Sequence, residues 1–171
     1  MEAEIFSSWD LYHQGKFDPV IKMALDNAEK IQEIYKRVSG SQKKEAGWLP
    51  FQVICEKCGK LGTTKVYKWD GQKVFYKCEP NLVKWAHGCG YEGKISPFGG
   101  MGKLPWKVDW PAHWKVLGVT VEGAGKDHGS AGGSYDIAME LCKIFQYSKP
   151  FKFVYEFFLL GGVKMSSSKG V

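Results

Sequence analysis

VLGVTVEGAGKDHGSAGGSYDIAMELCKIFQYSKPFKFVYEFFLL, residues 116–160, is the stretch that decides the fold. Val116 to Glu122 is apolar and β-branched, the composition of a strand. A glycine-rich loop follows. Ile137, Leu141, Ile144 and Phe145 then share one face of a helix expected from about Ser134 to Tyr147, with Ser134 as its N-cap and Asp136 in its first turn. Phe151 to Leu160 reads as a second buried strand. Strand, loop, helix and strand make one βαβ unit of a parallel sheet, so the fold class is α/β.

The loop from Gly123 to His128 has no standard phosphate-binding signature. A Walker loop would need a glycine at Thr120 and a hydroxyl at Asp127. A dinucleotide site would need G-x-G-x-x-G at the start of the helix. What remains is a strand end that presents Asp127 and His128, followed by Gly132-Gly133 at a helix N-terminus. Open α/β sheets take ligands at this end of their strands. Glycines permit close approach, and free amides there would favour a polar or anionic ligand. A plain strand-to-helix turn is the simpler alternative.

Working back along the chain, residues 95–112 are rich in Gly, Pro and Trp and read as an irregular connection. Residues 51–94 differ in character. Cys55-x2-Cys58-Gly59 has the form of a metal-binding knuckle, and Cys89-Gly90 repeats its Cys-Gly step. Thr63 to Trp69 and Gln72 to Lys77 read as strands joined at Asp70-Gly71 by a two-residue turn. Cys78 ends that hairpin. Cys55, Cys58, Cys78 and Cys89 would complete a tetrahedral Zn2+ site, with His87 close enough in sequence to replace either late cysteine. A module of some 45 residues has little core and needs such a staple. Cys142, on the apolar side of its helix, reads as core.

At the N-terminal end, Asp18-Pro19 reads as a helix start, with Asp18 as N-cap. Ile21, Leu25, Ala28, Ile31, Tyr35 and Val38 extend one apolar stripe as far as Ser39-Gly40. Residues 41–47 are polar and read as a linker. The composition suits a globular chain: 171 residues, 44% apolar and 25% charged. No apolar run approaches the roughly 20 residues of a membrane span. Met1-Glu2-Ala3-Glu4 does not begin a signal peptide, so the cytoplasm is the expected location. Five cysteines, an odd number, argue against a disulfide framework. The net charge is +6, and Arg37 is the one arginine. Anions would therefore be held by lysines or backbone amides. The lysines are compatible with RNA or nucleotide partners, and equally with an ordinary solvated surface.

The chain's last quoted motif, Lys164-Met165-Ser166-Ser167-Ser168-Lys169-Gly170, resembles the KMSKS signature of class I aminoacyl-tRNA synthetases, arriving after a parallel strand as that signature does. Asp109-Trp110-Pro111-Ala112-His113-Trp114, Gly125-Lys126-Asp127-His128 and Gly132-Gly133-Ser134-Tyr135-Asp136 make the chain similar to the archaeal-type class I lysyl-tRNA synthetases from about residue 48 to 171. The resemblance implies the second half of a Rossmann-like (HUP-type) parallel sheet at 95–171. It also implies an inserted zinc ribbon at 48–94 and a helical part of the connective insertion at 1–47. It implies lysine, ATP with Mg2+, and tRNA(Lys) as substrates. Gly125 and Asp127 would meet the ATP ribose, Gly132 and Gly133 would lie beside the adenosine, and Trp106, His128 and Tyr155 would line a lysine pocket. Lys164, Met165, Ser166, Ser167, Ser168 and Lys169 would close over the triphosphate. Either Lys164 or Lys169 could touch phosphate, because the motif's second lysine falls at Ser167. No HIGH-type string occurs in these residues, so the resemblance implies a fragment that lacks the opposite half. The alternative is a non-catalytic zinc-ribbon module that binds RNA.

Overall fold

The computed structural model describes residues 2–40 and 47–165. Three helices come first: α1 (Ser8–His13), α2 (Asp18–Asp26) and α3 (Ala28–Ser39). The stripe expected on one helix is present, with Ile21, Leu25, Ala28, Ile31 and Tyr35 buried, but it is carried by two helices. The break is Asn27 (φ −118°, ψ 26°). Its side-chain amide donates to the Met23 carbonyl at 2.9 Å. That local bond competes with the helix ladder, which is why asparagine favours caps over helix interiors. Asp18 is the first helical residue and not the cap, which is Phe17. Its carboxylate accepts instead from the Gly99 amide.

The cysteine-bearing region follows. β1 (Gln52–Val53) is short, and β2 (Thr64–Trp69) and β3 (Val74–Cys78) form an antiparallel hairpin that β4 (Glu92–Ile95) extends to three strands. The turn is longer than the expected two residues. Trp69 pairs with Val74, and residues 70–73 close through Asp70, whose side chain accepts from the Gln72 and Lys73 amides. The Asp70 N–H also donates to the Lys73 carbonyl at 3.2 Å, so side chain and backbone close the turn together. β5 (Gly102–Lys103) returns to pair with β1.

The stretch expected to be irregular contains α4 (Trp106–Leu117), with Pro111 inside it. One side of α4 buries Val108, Pro111 and Ala112, and Trp114 is also buried. That packing stabilises a helix that Pro and Trp composition obscures. α4 consumes the start of the expected strand: Val116 and Leu117 are its last residues, and Gly118 (φ 70°) caps it in the left-handed region. Gly118 therefore marks a helix end and not a strand interior.

β6 (Val121–Gly125), the single turn α5 (Lys126–Gly129), α6 (Ser134–Leu141) and β7 (Phe151–Tyr155) complete the βαβ unit. β6 and β7 are parallel, with Val121 opposite Phe151 and Gly125 opposite Tyr155. α6 is shorter than expected, and Gly133 holds its cap position while Ser134 is its first residue. The second strand stops at Tyr155. β8 (Leu159–Leu160) and β9 (Val163–Lys164) then form a small antiparallel hairpin. This region is not buried: Phe151 is 69% exposed and Phe158 72%. Its sheet contains two strands among the described residues, too few to cover both faces. Among the described residues, no helix is long and apolar enough to cross a membrane.

The main core joins α2, α3, the inner face of β2–β3 and α6. A second cluster sits under β6 and includes Trp114, Ala124, Tyr135, Ala138 and Cys142. Cys142 is therefore core, as read from the sequence. The N-terminal helices are tied to α4 through Tyr12, whose hydroxyl donates to Asp109 and accepts from the Leu104 amide. Burial, reinforced by the adjacent Asp109, holds the Tyr12 phenol protonated far above its usual range.

Candidate functional site

The paired strands β6 and β7 end level with each other, and the single-turn α5 begins where β6 stops. Lys126, Asp127 and His128 are thereby exposed at the carboxyl end of the sheet. A Cβ at Gly125 would come 2.9 Å from the Asp127 carboxylate, with the Tyr155 ring 3.9 Å away. Gly125, Asp127 and Tyr155 thus converge.

Beside them stands a group of rings. The Trp106 and Trp110 centroids are 5.9 Å apart and near parallel. His128 meets both edge-on, at 5.4 Å from Trp106 and 6.2 Å from Trp110. Trp110 continues to Trp114 and Tyr135 beneath. Trp106 remains 48% exposed, so part of this side chain is accessible to a ligand. Trp110 was not singled out from the sequence as a pocket residue. The signal that could have found it is its spacing from Trp106, four residues on, which puts both on one side of a helix. Tyr155 has Phe153 and Phe158 as ring neighbours, at 6.4 and 5.9 Å.

Gly132 and Gly133 do bring the start of α6 close to this end of the sheet, but their amides are not free. The Gly132 N–H donates to Asp136 at 2.9 Å and the Gly133 N–H to the Ser130 carbonyl at 2.8 Å. The glycines are required for packing: a Cβ on Gly133 would lie 2.6 Å from the His128 carbonyl. Asp136 also takes Lys152 at 2.7 Å, and this hydrogen bond holds its carboxyl below the usual range. Lys126 pairs with Glu156 at 2.7 Å. Lys164 stands over the Phe157 ring, 3.5 Å from its centroid. Met165 follows it, while Ser166, Ser167, Ser168 and Lys169 lie outside the described residues.

The four cysteines meet in the region of the β2–β3–β4 sheet. Their sulfurs lie within 4.8 Å of one another, with Cys55–Cys89 at 3.6 Å and Cys58–Cys78 at 3.7 Å. Four sulfurs about 2.3 Å from a zinc ion would be about 3.8 Å apart, so the donor set fits that ion. His87 is not in the cluster: it is exposed and its ring nitrogen faces the Pro80 carbonyl. The long gap between Cys78 and Cys89 also has a geometric explanation. Gly59 N–H donates to the Cys55 carbonyl, and Gly90 N–H donates to the Cys78 carbonyl. The second knuckle is thus closed as the first is, with residues 79–88 looped out between its cysteines. Gly59 and Gly90 both adopt positive φ. Burial pushes the Cys55 thiol up to about 11. Burial opposes ionisation of Cys78 as well, but hydrogen bonds from Thr63 and the Cys89 amide bring it down to about 7.

The chain matches the family model of class I tRNA synthetases (K) over residues 1–171, so the match includes the N-terminal helices. It is similar to the lysine–tRNA ligase of Methanocaldococcus jannaschii, 43% identical over 178 residues that cover 100% of this chain and 32% of that protein. It is 41% identical over 169 residues to the lysine–tRNA ligase of Methanosphaera stadtmanae, covering 98% of this chain and 30% of the relative. For the lysine–tRNA ligase of Archaeoglobus fulgidus the identity is 36%, over 99% of this chain and 32% of the relative. The chain spans about a third of the length of the curated relatives it matches. With a parallel βαβ unit exposing its strand ends and a family match across every residue, this chain belongs to the lysine-type class I tRNA synthetases.

Proposed function

We propose that the 171 residues form part of an ATP-dependent lysine–tRNA ligase. They would contribute one wall of the catalytic crevice and a zinc-stapled insertion. The observation that carries this reading is the convergence of Gly125, Asp127, His128 and Tyr155 at the ends of β6 and β7, beside Trp106. Gly125 and Asp127 meet the ATP ribose, with Gly132 and Gly133 beside the adenosine. Because both glycine amides are already bonded, their part is to allow close approach and not to hold a phosphate. Trp106, His128 and Tyr155 form the lysine pocket, where the accessible part of Trp106 attracts the substrate ammonium by up to about 2 kcal/mol once desolvated.

In the reaction, the lysine carboxylate attacks the α-phosphorus of ATP, and pyrophosphate leaves with its Mg2+. The terminal ribose hydroxyl of tRNA(Lys) then takes the lysyl group from the adenylate and AMP departs. Positioning and charge stabilisation carry such chemistry. Lys164 leaves Phe157 when the 164–169 loop closes on the triphosphate, and Lys164 or Lys169 then meets the developing negative charge. Cys55, Cys58, Cys78 and Cys89 hold a structural Zn2+, which crosslinks two knuckles that have little core of their own.

The test is lysine-dependent ATP–pyrophosphate exchange in a chimera, with these residues replacing the matching segment of the Methanocaldococcus jannaschii relative. Lys164→Ala should lower kcat about a hundredfold or more, the usual effect of removing one preorganised donor. Trp106→Ala should raise the KM for lysine with less effect on that for ATP. Exchange that is lysine-dependent yet indifferent to both substitutions would overturn the site assignment.

A further inference from the structure

Asp109 and His113 on α4 meet a group of side chains on α1 that neither the cysteine cluster nor the strand-end site uses. Ser8 Oγ lies 3.0 Å from His113 Nε2. On the other side of the ring, Nδ1 is 2.9 Å from the Asp109 carbonyl oxygen and 3.5 Å from the Asp109 carboxylate. Both of those oxygens are acceptors, so in the neutral imidazole Nδ1 carries the proton. Nε2 is then the acceptor, and the Ser8 hydroxyl donates to it. The buried Phe17 ring packs edge-on against the imidazole, with centroids 4.6 Å apart, and helps to fix its plane.

Capping of α1 does not call on Ser8. The neighbouring Ser7 is the N-cap, and its Oγ accepts from the Asp10 amide at 3.2 Å. Ser8 itself is exposed, and it borders a cavity of about 290 Å3 whose walls include Trp9, Ile54, Leu61 and Lys103. The Trp9 ring is held by stacking on His13, with centroids 3.8 Å apart. Gly100 leaves room for that pair, since a Cβ there would lie 2.8 Å from the His13 ring. A serine hydroxyl donating to an imidazole, whose far nitrogen is held in turn by a carbonyl, is the arrangement that activates serine for attack. Trp9, Ile54 and Leu61 give the adjoining cavity an apolar wall, which suits an apolar acyl group.

We propose that Ser8 is a nucleophile that accepts the acyl group of a small apolar carboxylic ester, with His113 as its general base. In the step, Ser8 Oγ bonds to the ester's carbonyl carbon and the bond from that carbon to the leaving alcohol's oxygen breaks. The Ser8 proton passes to His113 Nε2 and from there to the departing alcohol, so the imidazole ends neutral and the acyl group stays on the serine. The cavity holds the acyl chain against Trp9, Ile54 and Leu61. This goes beyond the ligase reading and uses none of the strand-end residues. Its readout is a covalent adduct, so failure of either reading leaves the other standing.

The experiment treats the 171-residue chain with an alkyl fluorophosphonate, which loses fluoride to an activated serine and leaves its phosphorus on the oxygen. Tandem mass spectrometry should place the adduct on Ser8 in the native chain and find none there after heat denaturation. Ser8→Ala should remove that adduct. His113→Gln should slow its formation about a hundredfold or more, the usual contribution of a positioned base. An excess of p-nitrophenyl butyrate should slow labelling by competing for the same hydroxyl. Because Ser8 is exposed, Ser8→Ala and the ester competition can be read even if His113→Gln unfolds. A native chain with no adduct on Ser8 would overturn the proposal. So would Ser8 labelling as fast in the denatured chain as in the native one, or labelling indifferent to the ester.

Discussion

Glu140 shows how much one side chain organises. Its carboxylate accepts Lys149 at 2.9 Å and Arg37 at 2.9 Å, with Lys143 at 3.4 Å, so α6 is tied to α3 and to the approach to β7. The Lys149 hydrogen bond first, and Arg37 after it, pull the carboxyl from 4.5 down to about 2. A carboxyl held low in the folded chain stabilises it at pH above about 4.5, and the contribution is lost as the pH falls towards 2. Because the group is partly exposed, solvent screening limits the effect to about 1 kcal/mol. Glu140→Gln should therefore lower Tm at neutral pH by about 2–4 °C. The two melting curves should converge between pH 4.5 and 2, and a constant offset down to pH 2 would contradict this account. Arg37 had no assigned role from the sequence. Its partner lies 103 residues away, a separation that no local pattern reveals.

With zinc bound as proposed, the three-stranded sheet is expected to depend on its four cysteines. Its inner face supplies Val66, Val74 and Tyr76 to the core, but the segment from Cys55 to Gly62 and the 79–88 loop have little apolar burial to hold them. The purified chain should contain one equivalent of zinc by elemental analysis. Cys55→Ser or Cys89→Ser should release the metal, and chelation should broaden the amide spectrum of residues 55–62 and 78–92 before that of α2 and α3. Metal-free protein with these segments intact would refute the zinc assignment. The clustering of the four cysteines was legible in the sequence, because knuckles are local: a Cys-Gly step needs a positive-φ residue after the cysteine and little else. The 10-residue excursion between Cys78 and Cys89 was the obscure part. Its closure rests on a backbone bond from Gly90 to Cys78 that spacing does not encode.

For the molecule as a whole, the parallel pair β6–β7 is the part on which catalysis would rest. It also carries exposed apolar side chains, among them Val121, Phe151, Phe153, Val154 and Tyr155. In the proposed reading these residues would present one side of a nucleotide crevice. On their own they should not support lysine-dependent ATP–pyrophosphate exchange, even at high protein concentration. Without substrates held in line from both sides, much of the roughly 7–11 kcal/mol available from orientation is forfeited. Lysine-dependent exchange by the 171-residue chain alone would show that the crevice is more complete than this geometry implies.

Taken by itself, the sequence determined what depends on neighbours a few residues apart: the cysteine cluster, the β2–β3 hairpin, the α2–α3 stripe and the order strand–helix–strand. It also carried the resemblance to class I synthetases, because those motifs are strings. Tertiary structure decided where helices end, since Gly118 caps α4 only because Val108 and Ala112 have a core to face, and the same apolar letters from Val116 onward would otherwise pass as strand. It decided that the Gly132 amide belongs to Asp136, a bond set by how α6 meets its preceding loop. It also decided the aromatic wall at the strand ends. Trp106 and Trp110 reach His128 only when α4 packs on α6, and that placement follows from packing between segments that local residue preferences do not specify.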